Sequence, residues 1–152
     1  MRARTSYDQD VVAWANEQAA LLRAGKFSAI DIEHIAEEIE DVGKSEQREL
    51  ANRMAVLLAH LLKWQFQPER RGASWEITIR NQREAIPEAL QDSPSLKKPM
   101  LSDATWLKRV FRDARQQAAQ ETGLGCFPET CPWTMAQALD ERFFPPPVAK
   151  PS

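Results

Sequence analysis

Residues 28–68, SAIDIEHIAEEIEDVGKSEQRELANRMAVLLAHLLKWQFQP, decide the fold. Apolar residues recur there at helical intervals: Ile32, Ile35, Ile39 and Val42, then Leu50, Met54, Leu57, Leu58, Leu61 and Trp64. Ile39 and Leu50 are eleven residues, or three whole turns, apart, so the apolar phase carries across Gly43. Two organisations fit this pattern. One is a single kinked helix over residues 29–67, of about 38 residues and ~57 Å at 1.5 Å per residue. The other is a pair of helices that break at Gly43, and the residues leave both open. Pro68 closes the pattern.

Working outward, Ser6-Tyr7-Asp8-Gln9 has the spacing of a capping box and predicts a helix with Val11, Trp14, Ala15 and Leu22 on its apolar face. Gly25 ends it by tolerating the left-handed conformation, and Ser28 is the expected cap of the next helix. After a loop at 68–74, Ser74 is the expected cap of a helix bearing Trp75, Ile79, Ile86 and Leu90, with Pro87 inside it. Another helix is predicted from Asp103 to Thr122, ending at Gly123. Beyond it, Pro128, Pro132 and Pro145 to Pro147 punctuate the chain, while Thr134-Met135-Ala136-Gln137 makes a second capping box. Cys131, Trp133, Leu139, Phe143 and Phe144 make that segment too apolar for a free tail. The expected fold is all-α, a four- to five-helix bundle closed by a proline-punctuated C-terminal strap. Residues 1–146 are expected to form a single domain and 147–152 a disordered tail.

Composition narrows the class. With 43% hydrophobic and 28% charged residues, neither a disordered chain nor a membrane protein is favoured. No stretch approaches the ~18 uncharged apolar residues of a membrane span. A net charge of −2 gives no overall attraction to nucleic acid or anionic lipid. Asp8 and Asp10, where a secretory signal would be apolar, and only two cysteines point to a cytoplasmic protein.

Several segments together resemble a bacterial family known as domain of unknown function 29. They are Tyr7-Asp8-Gln9-Asp10, Asp31 to Gly43 (DIEHIAEEIEDVG), Leu57 to Trp75 (LLAHLLKWQFQPERRGASW), Asp92 to Leu96, Glu121 to Leu124, and Phe127 to Thr134. Val11-Val12 and Gly125-Cys126 depart from the family pattern, in places that affect packing more than chemistry. The resemblance implies an all-α fold and supplies no activity.

No nucleophile elbow or glycine-rich phosphate loop is present. Asp31-x-x-His34 and the C-x₄-C pair Cys126/Cys131 fall short of di-iron or zinc ligand sets, so no metal and no cofactor are expected. Asp31, Glu33, Glu37, Glu38, Glu40 and Asp41 make the second helix acidic, with Glu37 and Asp41 opposite its isoleucines. Lys63, Arg70, Arg71, Arg80 and Arg83 cluster around Pro68, and Lys108, Arg112 and Arg115 form a basic stripe. Pairing of these cations with acidic side chains is the expected role, with Trp64 and Trp75 as core anchors. Positions 32, 39, 46, 53 and 60 form a seven-residue ladder reading Ile, Ile, Glu, Arg, His. Charges on a core face must be paired or solvated. Either the chain turns near Gly43 and exposes Glu46, or Glu46, Arg53 and His60 form a satisfied structural network, or they line a polar pocket with Glu38.

Three functions follow in order of preference. The first is a non-catalytic interaction or regulatory domain whose surface includes Glu37, Asp41, Arg70, Arg71, Lys108, Arg112 and Arg115 and takes a protein partner. The second is a small enzyme or ligand-binding protein using the pocket at His60, Glu38, Glu46 and Arg53. The third is a nucleic-acid-associated protein using Arg70 and the basic stripe. The oligomeric state is left open.

Overall fold

The structure, a computed structural model, describes residues 6–148. Among them there are six α-helices and no strand: α1 Val11–Arg23, α2 Ile32–Phe66, α3 Ala73–Asp92, α4 Lys97–Ser102, α5 Ala104–Thr122 and α6 Met135–Leu139. The chain is an all-α protein. It divides into two compact units, with the boundary in the chain between Glu46 and Gln47. The 35-residue α2 is one continuous helix that takes Gly43 in its interior. A helical glycine costs only about 1 kcal/mol relative to alanine, which is too little to break a ladder of hydrogen bonds on both sides of it.

The helices of the structure stop at the expected glycines, but three of them start at residues other than the expected serines. Gly25 and Gly123 take φ values of 73° and 74°. At Gly25 the Lys26 N–H returns to the Leu21 carbonyl and the Gly25 N–H to Leu22, closing α1 with a Schellman motif. The Thr134 capping box is complete in both directions. Ser6, by contrast, accepts the Gln9 N–H within a turn, and α1 is capped by Asp10, which accepts the Ala13 N–H. Ser28 lies in a 3₁₀ turn, Phe27–Ala29, and Asp31 stands at the start of α2. Ser74 sits inside α3, whose N-cap is Gly72. In α1 and α2 a carboxylate displaces the serine because it satisfies the free N–H groups and also meets the positive end of the helix dipole.

The carboxy-terminal unit holds the apolar core. From α2 come Leu50, Met54, Leu57, Leu58, Leu61 and Leu62, packed with Ile79 and Ile86 of α3, Val110, Phe111 and Ala114 of α5, and Phe127 and Trp133 of the strap. Trp64 and Trp75 are both half-buried; Trp64 packs against the core as expected, Trp75 is not part of it, and each carries a cation on its ring. The Arg71 guanidinium lies 4.9 Å from the Trp64 ring centre and Lys63 Nζ lies 5.2 Å from that of Trp75. Lys63 is buried and donates to the Glu121 carboxylate on α5. Burial alone would raise the Glu121 carboxyl, but hydrogen bonds from Lys63 and Gln117 carry it below its ordinary value.

Arg83 fixes the strap. It is 4% exposed, donating from Nε to the Ala138 carbonyl at 2.8 Å and from Nη2 to the Phe143 carbonyl at 2.7 Å. Its guanidinium also lies 5.2 Å from the Phe144 ring centre. Burial lowers its pKa, with Asp140 and Glu141 opposing, yet an arginine stays charged. The expected acidic partners are therefore replaced by carbonyls at Arg83. Arg71 likewise donates to the Trp64 carbonyl at 2.8 Å, and one of its Nη atoms is buried without a hydrogen-bond partner. Farther on, the Val148 N–H donates to the Gln65 carbonyl. The rest of the expected disordered tail, 149–152, lies outside the described residues. None of the described helices is long and apolar enough to cross a membrane.

Replacing Arg83 with Leu should cost roughly 2–4 kcal/mol, because it leaves one buried and one part-buried carbonyl without this donor. Denaturant unfolding reads the loss, and limited proteolysis should cut the variant first within residues 124–148. A variant as stable and as protease-resistant as the parent would show that the strap is held by its apolar side chains alone.

Candidate functional site

In the amino-terminal unit, polar groups replace an apolar core. Trp14 is the one buried hydrophobic residue before Leu50 among the described residues. On α1 the inward face centres on Trp14 and Gln18, both 4% exposed, while Val11 and Leu22, expected to face inward, are 46% and 39% exposed. Asp31 is where these groups converge. Its Oδ2 accepts from Trp14 Nε1 at 3.0 Å and pairs with His34 Nδ1 at 2.7 Å. Its Oδ1 accepts the His34 N–H, and its own N–H goes to Gln18 Oε1 at 2.7 Å. The Tyr7 ring stacks on the His34 ring with centres 4.2 Å apart and meets the Trp14 ring edge-on. The Tyr7 hydroxyl donates to the Glu38 carboxylate. Contacts from Tyr7 to Glu38 and from Trp14 to Asp31 run in opposite directions along the chain, as an antiparallel helical pair requires.

This clasp turns α2 by roughly a quarter-turn from the expected orientation. Asp31, His34, Ile35, Glu38 and Asp41 lie on its half-buried side. Ile32, Ile39 and Val42, expected in the core, are 66%, 67% and 66% exposed. Phe27, in the turn before α2, is 64% exposed. The seven-residue ladder thereby loses its puzzle. Glu46 needs neither a turn at Gly43 nor a buried partner, because it is exposed, as Ile32 and Ile39 are.

The residues expected around His60 are engaged separately. Glu38 accepts from Tyr7. Arg53 pairs with Glu49 at 3.1 Å and donates to Gln82 at 3.4 Å. His60 Nδ1 donates to the Val56 carbonyl of its own helix at 2.8 Å. Two surface cavities of the carboxy-terminal unit are lined without His60. One, of about 270 Å³, includes Gln47, Trp106 and Arg109, and the other, of about 310 Å³, includes Arg80, Arg83 and Glu141. Of the expected interaction residues, Glu37, Arg70, Lys108 and Arg112 are exposed, and Asp41, Arg71 and Arg115 half-buried. Arg112 has Asp113 at 3.7 Å. Among the described residues no group of three or more His, Cys, Asp or Glu is placed to hold a metal ion.

The electrostatics of the clasp give two tests. The hydrogen bond to Glu38, reinforced by burial and by the charges of Glu38, Glu37 and Asp41, pushes the Tyr7 hydroxyl up to about 12. Tyr7 is the only tyrosine in the chain, so phenolate absorbance reports it alone. Glu38→Gln should bring the titration back toward the ordinary range, and a parent that titrates there already would contradict the contact.

The two histidines should titrate in opposite directions in ring-proton NMR. Asp31 raises His34, mainly through the hydrogen bond, whereas burial lowers His60. The His34 hydrogen bond in turn lowers Asp31. The raised histidine contributes stability below its unfolded value of roughly 6.5 and loses it as pH climbs through the higher folded value. The lowered aspartate contributes above roughly 3.9 and loses it as pH falls through the lower folded value. The clasp should therefore be firmest between these limits. Asp31→Asn should drop the His34 titration, and an unchanged His34 would break the assignment.

No curated protein and no solved structure matches the chain. A family model does match, over residues 6–144, and so takes in both the clasp and the strap. On that match the chain belongs to the family described as Domain of unknown function DUF29.

Proposed function

We propose that this protein is a non-catalytic interaction domain that docks a protein partner on the outward face of the amino-terminal half of α2, around Ile39. One observation carries the reading: three large aliphatic side chains, Ile32, Ile39 and Val42, stand about two-thirds exposed on one helix. Burying such a side chain is worth about 1.5–3 kcal/mol, and clustered exposed apolar residues mark interaction sites. The clasp groups on the other side of α2 are turned toward one another and form hydrogen-bonded pairs. They serve to set the helix rather than to receive a substrate. Two free cysteines, Cys126 and Cys131, favour a reducing compartment and so the cytoplasm.

A photo-crosslinking residue at position 39, placed in the protein in its native host, should give a discrete protein adduct that the same residue at exposed Glu88 does not. Changing Ile32, Ile39 and Val42 to Ser should leave stability within about 0.5 kcal/mol per site, as at ordinary surface positions, and should abolish the adduct. Equal labelling from both positions, or a loss of several kcal/mol on substitution, would overturn the proposal.

A further inference from the structure

We infer that the occupant of this face is a basic amphipathic α-helix of another protein; the inference rests on the docking reading above and adds the partner's chemistry. Ile32, Ile35, Ile39 and Val42 follow the alternating spacing of three and four residues that forms a helix-packing seam. The seam covers about three turns, or ~15 Å at 1.5 Å per residue. Ile35 lies at its half-buried edge, and Ala36, exposed beside Ile39, leaves room for a neighbouring backbone. A ridge of this length suits a short helix laid along it, anchored every three or four residues.

Charge selects the kind of helix. Every charged residue between Phe27 and Gly43 is acidic: Asp31, Glu33, Glu37, Glu38, Glu40 and Asp41. Asp31 and Glu38 are engaged by the clasp. Glu33 and Glu40 are exposed, make no ion pair among the described residues, and fall about 100° around the helix from Ile32 and Ile39. They form a negative rim along one side of the apolar seam. A partner with lysine or arginine beside its own apolar stripe would meet both features together.

The same rim disfavours a second copy of this chain. In an antiparallel pairing that sets Ile32 against the other Val42 and Ile35 against the other Ile39, the two rims lie side by side, with Glu33 of one copy next to Glu40 of the other. A parallel pairing in register sets the Glu33/Glu40 rim of one copy beside the Asp31/Glu38 flank of the other, again acid against acid. Like charges brought together in this way are destabilising.

The test uses the full chain, three fluorescent peptides and sedimentation. The first peptide is a Leu/Lys helix with one apolar face, the second a scramble of it with the same charge, and the third a Leu/Gln helix with the same apolar face. The Leu/Lys helix should bind at least about tenfold more tightly than either control. Its binding should weaken with salt and fall about tenfold in Ile39→Ser and in the Glu33→Gln/Glu40→Gln variant. If the Leu/Gln helix binds equally and in an Ile39-dependent way, the basic partner is wrong while the docking face stands. A dimer of the protein alone that Ile39→Ser dissolves makes the second copy the occupant and overturns the inference, again leaving the face. Scrambled and amphipathic peptides binding alike would reduce the effect to bulk charge and overturn both readings. So would the absence of any Ile39-dependent binding or self-association.

Discussion

Asp31 ties the amino-terminal unit together, because one side chain closes the start of α2 and also holds an indole and an imidazole. A carboxylate with three donors around it, whose own N–H is fixed by Gln18, cannot turn away from α1 without leaving several polar groups unpaired. That constraint fixes the rotation of α2 about its axis. Residues 31, 34 and 38 lie within one arc of the helix, so securing them on the inner side carries Ile32 and Ile39 more than roughly 100° around the helix, into the open. Polar geometry therefore decides the orientation, and hydrophobic burial is left uncompleted. An apolar face left bare in this way acquires a thermodynamic reason to find a partner.

The carboxy-terminal unit solves the same problem differently. Aliphatic residues of α2, α3 and α5 fill a dry core, and the few charges admitted are each given a defined neighbour. Lys63 has Glu121 and the Trp75 ring, and Arg83 has two carbonyls and the Phe144 ring. Removing one partner of a buried charge costs more than the pair contributes, so these contacts specify the arrangement more than they stabilise it. Arg83 shows this well. A lysine there would keep the charge but lose the planar fork that reaches two acceptors at once.

The all-α class, the Thr134 capping box and the left-handed glycines at 25 and 123 were legible in the sequence because each depends on residues within one or two turns. The orientation of α2 was not. Periodicity locates an apolar stripe but is silent on whether the opposite face has a stronger claim, and that claim came from Tyr7, Trp14 and Gln18, up to 31 residues away. The same blindness to non-local hydrogen bonding favours His60, whose one hydrogen bond among the described residues goes to the turn before it, over His34, whose Asp-x-x-His spacing also reads as an incomplete metal motif. An acid three residues before a histidine also describes a helix cap that grips the ring, and weighing that possibility would have found the clasp. Arg83 was likewise assigned to acidic partners because backbone carbonyls have no sequence signature.

The acceptors of Arg83 lie 55 and 60 residues farther along the chain. As the polypeptide leaves the ribosome, α3 therefore emerges with a guanidinium destined for the interior and nothing yet made that can receive it. The carboxy-terminal unit cannot close until the segment through Phe143 has been translated. Until then the core lacks the cover of Phe127, Trp133 and Ala138, an interval in which a nascent chain is open to chaperones and to aggregation.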